Sequence, residues 1–297
     1  RDVAPSRGLG DVYKRQVLSL AFLLPVGCKT NPTGETSSEE NSSSESVPDV
    51  DSSVQTPDET PTLPDDTPEP PDDTPQPEPE PEPPAKSYAS YIKCTRDGVN
   101  IRAGAGTEFP VLGSAEKDTA YVVAGKTGNW YKTYYKNQTA YISASYVTVF
   151  EIEKSDDTRV ENVLWEAYKT IGVPYVYGAV RLHDGYGNFL KGFTTSKYDC
   201  SSLVQYVFYQ AAGVVLQTTT RSQVVQGAYV PRDQLSRGDC IYFTNSTRKD
   251  YTGIERVGHV AIYLGDNYIL HTASDYARIE QISSLRWSYY IETRDFL

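Results

Sequence analysis

Tyr198-Asp199-Cys200-Ser201-Ser202-Leu203-Val204-Gln205-Tyr206-Val207-Phe208 is the stretch on which the reading of this chain turns. After Cys200 the apolar residues Leu203, Val204, Val207, Phe208 and Ala211 recur at helical spacing, and Gly213 supplies a stop. Asp199 is a favourable N-cap residue. The pattern predicts a helix that starts at Cys200 and packs one face on a core. A thiol in that first turn meets unpaired backbone N–H groups and the positive end of the helix dipole. Both favour the thiolate, the reactive form of cysteine.

Two short strands follow. Val257-Gly258-His259-Val260-Ala261-Ile262-Tyr263-Leu264-Gly265 alternates, with His259, Ala261 and Tyr263 on one face. Tyr268-Ile269-Leu270-His271-Thr272-Ala273 is the second, and Gly265-Asp266-Asn267 reads as the turn of a hairpin. If Leu264 pairs with Tyr268 across a three-residue loop, Ala261 opposes His271. The two histidines are then diagonal neighbours on one face, roughly 7–8 Å apart at the backbone. A two-residue loop would put them on opposite faces. Taken singly, a cysteine before a helix is a small buried hydrophobe and a strand histidine a structural residue. Together they supply a nucleophile, a base and a group that orients the base, the logic of covalent acyl transfer. Cys200 is the candidate nucleophile, His259 the general base and His271 the group that orients it.

Working outward, Val160, Val163, Leu164 and Ala167 predict a helix over 160–171, ended by Gly172 and Pro174. Residues 150–158 read as a polar junction. Residues 88–149 hold about five short alternating runs separated by Gly and Asn turns, which predicts a small β-barrel. The net charge of −11 is concentrated in residues 29–86, which hold 16 of the 39 acidic residues, two basic ones and 14 of the 19 prolines. Such a segment cannot bury enough apolar surface to offset its chain entropy, so it reads as a disordered, acidic, Pro-rich linker. No basic cluster exceeds a few residues, which argues against nucleic acid as a partner. Cys28, Cys94, Cys200 and Cys240 fit neither a zinc site nor a disulfide framework, and three histidines leave little for a metal site.

The N-terminal residues read differently. Residues 17–27, VLSLAFLLPVG, are too short to span a bilayer but fit the apolar core of a secretion signal. Gly27-Cys28 before a long polar spacer resembles a bacterial lipoprotein processing site, which makes Cys28 the candidate lipid attachment point. Residues 1–16 read as non-native, adapter-like sequence and lie outside the fold.

Asp199-Cys200-Ser201-Ser202-Leu203-Val204, Gly258-His259-Val260-Ala261-Ile262-Tyr263-Leu264-Gly265 and His271, in this order, resemble the catalytic signature of NlpC/P60 cysteine peptidases. Arg237-Gly238-Asp239 resembles that family's Pro-Gly-Asp strand, and Pro174-Tyr175-Val176-Tyr177-Gly178 its Pro-Tyr-x-Trp-Gly segment. Asp97-Gly98-Val99-Asn100-Ile101-Arg102, with Gly128-Asn129-Trp130-Tyr131-Lys132, resembles bacterial SH3 domains. The resemblance implies an α+β, papain-like catalytic domain over 159–297. A small all-β SH3-like barrel over 87–149 and the linker precede it. It implies hydrolysis of the γ-D-glutamyl–diamino-acid bond of peptidoglycan stem peptides, with no cofactor, by an exported, monomeric protein held at the membrane or wall.

Tyr175 matches a tyrosine lining the family's site, and Ser201 is expected to face the same pocket. In Arg221-Ser222, Ser222 stands where members that need a free substrate amine carry Asp. A neutral residue there cannot form a charge-assisted bond to an amine, so stems still attached to sugar strands are expected to be tolerated. Residues 180–197, longer than usual, suggest an ordered loop over the cleft. Two alternatives remain open: an amidase or acyl/peptidyl transferase on the same scaffold, and a non-catalytic wall-binding lipoprotein.

Overall fold

The computed structural model describes residues 85–297. The expectations for residues 1–16, for the apolar run ending at Cys28 and for the linker up to residue 84 lie outside the described residues. In chain order the strands and helices are β1 (Tyr88–Cys94), β2 (Val99–Arg102), β3 (Val111–Ala115), β4 (Ala120–Val122), β5 (Gly125–Thr127), β6 (Trp130–Tyr135), β7 (Gln138–Ser143) and β8 (Val147–Glu153). They continue with α1 (Thr158–Lys169), α2 (Cys200–Ala212), α3 (Thr220–Gln223), β9 (Ala228–Val230), β10 (Cys240–Phe243), β11 (His259–Gly265), β12 (Tyr268–Ala273), β13 (Tyr276–Gln281), α4 (Ser284–Ser288) and β14 (Tyr290–Asp295).

The strands form two sheets. One has the order β3-β2-β7-β6-β5, and the other β8-β1-β4-β13-β12-β11-β10-β14-β9. The SH3-like region is thus shared between them: β1, β4 and β8 extend the sheet that carries the histidines. The join is narrow, a single pairing of Ile279 with Ala120. The expected polar junction over 150–158 is corrected here. Its first four residues belong to β8, which pairs with β1 from Tyr88↔Glu153 to Cys94↔Val147. The alternating Glu residues face out and disguise the strand, while Phe150 stacks on Tyr91 at 5.3 Å and on Tyr268 at 4.7 Å.

Arg237 closes the seam. Its Nε donates to Glu161 Oε1 at 2.6 Å, and Nη1 donates to the Tyr91 hydroxyl at 2.9 Å and to Leu264 O at 2.6 Å. Nη2 donates to Glu161 Oε2 and the Tyr168 hydroxyl, each at 3.1 Å. The guanidinium therefore ties β1 of the SH3-like region to α1 and β11.

Local sequence explains the helices. In α1 the apolar stripe Val160, Val163, Leu164 and Ala167 is buried, and the Asp157 side chain caps the first turn. In α2, Leu203, Val204, Val207 and Phe208 are buried, each contributing about 1.5–3 kcal/mol by removal from water. Asp199 and Ser202 form a reciprocal capping box, and Gly213 ends the helix at φ +68°, a left-handed conformation that favours glycine. The sheet is covered on both sides. A second apolar cluster, Ile241, Phe243, Ala261, Ile269 and Ile282, takes Trp287 from α4 against it.

The β11–β12 hairpin differs in detail from expectation. Gly265, not Leu264, pairs with Tyr268, so the loop is the two-residue Asp266-Asn267. Both residues have positive φ, +47° and +65°, the geometry that suits a tight hairpin turn. By itself this loop would set the histidines on opposite faces. A bulge between Tyr263 and Gly265 absorbs one residue and restores the register, so that Ile262 pairs with Leu270. Continued by one residue, that register sets Ala261 opposite His271.

Candidate active site

Cys200 is the first residue of α2 and only 9% exposed. The backbone N–H groups of Ser201 and of Val260 on β11 act on its sulfur in favour of the ionised form. The helix start favours a thiolate, but burial wins. Burial first, and the Asp199 carboxylate second, push the thiol up to about 12 against the pull of those N–H groups and Arg181. The expectation of a thiolate favoured by the helix terminus is therefore corrected: burial outweighs the helix start and favours the thiol.

His259 and His271 meet as the register requires. His259 Nε2 and His271 Nδ1 are 2.9 Å apart, and the rings cross at 78°. Both are buried, at 8% and 2% exposure. Burial holds the pKa of His259 well below the ordinary histidine value, with His271 and Arg286 adding to the effect. Burial lowers that of His271 too, although Glu280 opposes it. The base is thus neutral and able to accept a proton.

Glu280 on β13 is a residue the sequence did not single out. Its Oε1 lies 3.1 Å from His271 Nε2. That contact is electrostatic rather than a formed hydrogen bond, because the oxygen lies off the ring N–H direction and His271 Nε2 has no aligned acceptor. The same oxygen accepts from Arg286 Nη2 at 2.9 Å. Burial would raise the Glu280 carboxyl, but His271, Arg286 and Arg278 together hold it at about 2.

Cys200 and His259 open on a cavity of about 540 Å³ whose lining includes Tyr175, Asn245, Arg286 and Tyr289. Tyr175 takes its expected place. Burial, then the neighbouring Cys200 and Asp199, raise its phenol to about 12, so it stays a hydroxyl donor. The other expected substrate contacts lie outside this lining. Ser201 is 3% exposed, and its hydroxyl accepts from Arg181 at 2.9 Å beside Asp199 Oδ1 at 3.1 Å. Ser222 spends its side chain on a capping box with Thr219 in α3. Arg221 pairs with Glu255 at 3.4 Å.

The 180–197 segment is ordered by its own bonds. Arg181 reaches Asp199 Oδ2 at 2.8 Å and Thr218 O at 2.8 Å, clasping the loop to the start of α2. His183 is fully buried and accepts the Gly185 N–H at 3.1 Å, a structural use of the third histidine. Among the described residues no three His, Cys, Asp or Glu side chains gather as a metal site.

Comparison with known proteins finds relatives for two regions of the chain. The NlpC/P60 family model matches residues 172–294, and a bacterial SH3 domain model matches residues 97–148. The gamma-DL-glutamyl hydrolase of Bacillus subtilis is 34% identical over 156 residues, covering 52% of this chain and 33% of that protein. The murein DD-endopeptidase MepS/murein LD-carboxypeptidase of Escherichia coli is 35% identical over 101 residues, covering 34% of this chain and 48% of its own. The chain thus spans a third to a half of the length of these curated relatives. Among solved structures, an NLP/P60 family protein similar to lipoprotein, from Staphylococcus aureus, aligns with a TM-score of 0.39 at 28% identity. That alignment covers 52% of this chain and 46% of its own.

Proposed function

The chain belongs to the NlpC/P60 family through residues 172–294 and carries a bacterial SH3 domain at 97–148, and from that premise we propose that it is a cysteine peptidase cutting the γ-D-glutamyl–diamino-acid bond of peptidoglycan stem peptides. The observation that carries this reading is the 2.9 Å link between His259 and His271 in the cavity that Cys200 lines. The name of the Bacillus subtilis relative supports the choice of bond.

The chemistry follows from tautomers. The Glu280 carboxylate beside His271 Nε2 favours a proton on that nitrogen, leaving His271 Nδ1 to accept from His259 Nε2–H. His259 Nδ1 then holds the free lone pair. In the first step the Cys200 thiol loses its proton to His259 as sulfur bonds to the γ-carbonyl carbon. The resulting oxyanion is held by the Cys200 backbone N–H at the start of α2, which has no partner in the helix ladder. Collapse breaks the C–N bond, and His259 returns its proton to the leaving amine. Water, deprotonated by His259, then splits the thioester and regenerates the thiol. The neutral thiol–imidazole pair means that proton transfer accompanies attack rather than preceding it. By this reading the protein works outside the cell, with Cys28 as its lipid anchor.

The test incubates the purified protein with intact peptidoglycan and with free L-Ala-γ-D-Glu-diamino-acid peptide, products being read by mass spectrometry. Cleavage after D-Glu should fall by a factor on the order of 10⁴ or more in Cys200→Ala. Cleavage only at a D,D- or amide bond would overturn the assignment of the bond. Retained cleavage in Cys200→Ala would overturn the nucleophile.

A further inference from the structure

The cavity beside Cys200 has an unbalanced charge. Among the described residues no aspartate or glutamate lines it; besides Cys200 and His259 its polar side chains are hydroxyls, an amide and the guanidinium of Arg286. The Arg286 side chain is 26% exposed. Only Nη2 is engaged, by Glu280 at 2.9 Å, and none of the described residues accepts from Nε or Nη1. Glu280 is in turn held beside His271. One edge of a planar five-donor group is therefore fixed against the catalytic histidines, while the remaining donors stay available at the cavity. Donors open to the cavity are free to pair with a ligand, and a guanidinium is matched in shape by a carboxylate, which accepts two parallel N–H bonds.

We infer that Arg286 is the residue that reads a carboxylate on the substrate next to the scissile bond. The inference rests on the peptidase reading above and deepens it. A glutamyl residue linked through its γ-carbonyl keeps its α-carboxylate free, three carbons from the carbon that Cys200 attacks. An α-linked residue other than glutamate offers no such anion at that distance. A carboxylate seated on Arg286 would orient the γ-carbonyl toward Cys200, and it would discriminate against stems whose α-carboxylate is a carboxamide. It also explains the absence of acidic side chains from the lining, since any there would compete for the guanidinium. Arg286 came from a segment, Ser283 to Tyr289, that no motif marks, and its role is legible only from the cavity.

The experiment compares L-Ala-γ-D-Glu-diamino-acid peptide with its α-carboxamide counterpart as substrates for wild type, Arg286→Gln and Arg286→Lys. A charge-assisted pair of this kind is expected to give the wild type a preference for the carboxylate of roughly 10- to 100-fold in kcat/KM. Arg286→Gln should lose that preference, slowing much more on the carboxylate peptide than on the carboxamide, and Arg286→Lys should keep part of it. Equal slowing on both peptides, or an unchanged ratio, overturns the proposal, because a merely structural role through Glu280 would not distinguish them. Binding of both peptides to Cys200→Ala, with and without Arg286→Gln, is measured by calorimetry as a readout that needs no turnover. A carboxylate preference in binding without cleavage sustains the Arg286 site and sinks the choice of bond. Cleavage without a carboxylate preference does the reverse.

Discussion

Arg237 and Arg286 are both mostly buried and each sits on a glutamate, but they are used in opposite ways. Arg237 distributes its donors over Glu161, Tyr91, Tyr168 and the carbonyl of Leu264, so no direction is left for anything else. Arg286 has a single side-chain acceptor, Glu280, and faces a cavity. The first is a lock between the SH3-like strands and the catalytic sheet; the second is a tool. The histidines differ in their partners. His183 accepts a backbone N–H deep under its loop, whereas His259 and His271 bond mainly to each other beside the thiol.

The contrast breaks most visibly at Arg237. Arg237→Leu leaves Glu161 without its cation and Leu264 O and two tyrosines without their donor. Removing one partner of such a pair is expected to destabilise by about 3–5 kcal/mol. For a unit of this size that lowers Tm by roughly 6–20 °C. Activity per folded molecule at low temperature should stay near wild type. A Tm within about 2 °C of wild type, or a loss of activity without a loss of stability, would show that the seam takes part in the chemistry.

Glu280 lies between the two classes and gives a smaller effect. Glu280→Gln keeps the shape and removes the charge that favours a proton on His271 Nε2. Partners that orient a functional histidine generally affect activity by 10–100-fold, and the off-axis contact here argues for the lower end, about tenfold in kcat with KM little changed. The pH profile supplies the diagnostic sign. Glu280 raises the pKa of His271, so its loss makes the histidine pair harder to protonate. The acid limb of kcat/KM should move to lower pH. A drop in rate with the limb unmoved would reduce Glu280 to a packing role.

Much of this arrangement was legible in the sequence because the signals were local. The cap at Asp199, the apolar period after Cys200 and the stop at Gly213 all lie within fifteen residues, and each is confirmed in α2. The facing of His259 and His271 was expected through a three-residue loop; in the structure a two-residue loop and a bulge, which no local signal marks, bring them to one face. What escaped depended on long-range pairing. Glu280 alternates with the buried Ala277 and Ile279 in a short strand and so resembles a solvated charge; only the pairing of Ile269 with Glu280 and His271 with Arg278 brings it diagonally beside His271. β8 was hidden for the same reason, its glutamates masking an edge strand. The state of Cys200 was misjudged because a helix dipole is local, whereas the burial that outweighs it is set by the whole fold.

The smallest effect probes how the seam and the site are joined. Gly265 sits beside the bulge that gives the histidines their common face, at φ +98°, and a Cβ there would come within 2.6 Å of Ile152 Cγ2 in β8. Gly265→Ala therefore meets backbone strain and a side chain from the SH3-like half at once, about 1 kcal/mol if the Ile152 side chain can give way. Because the Asp266-Asn267 turn and the bulge are separate devices, the strain should be taken up by moving β8 rather than by shifting the register. Stability should fall slightly while the His259–His271 link, read as the coupled titration of the two rings by NMR, persists. If the titrations uncouple while the fold survives, the bulge depends on glycine itself, and the packing of β8 against Gly265 controls the geometry of the catalytic pair.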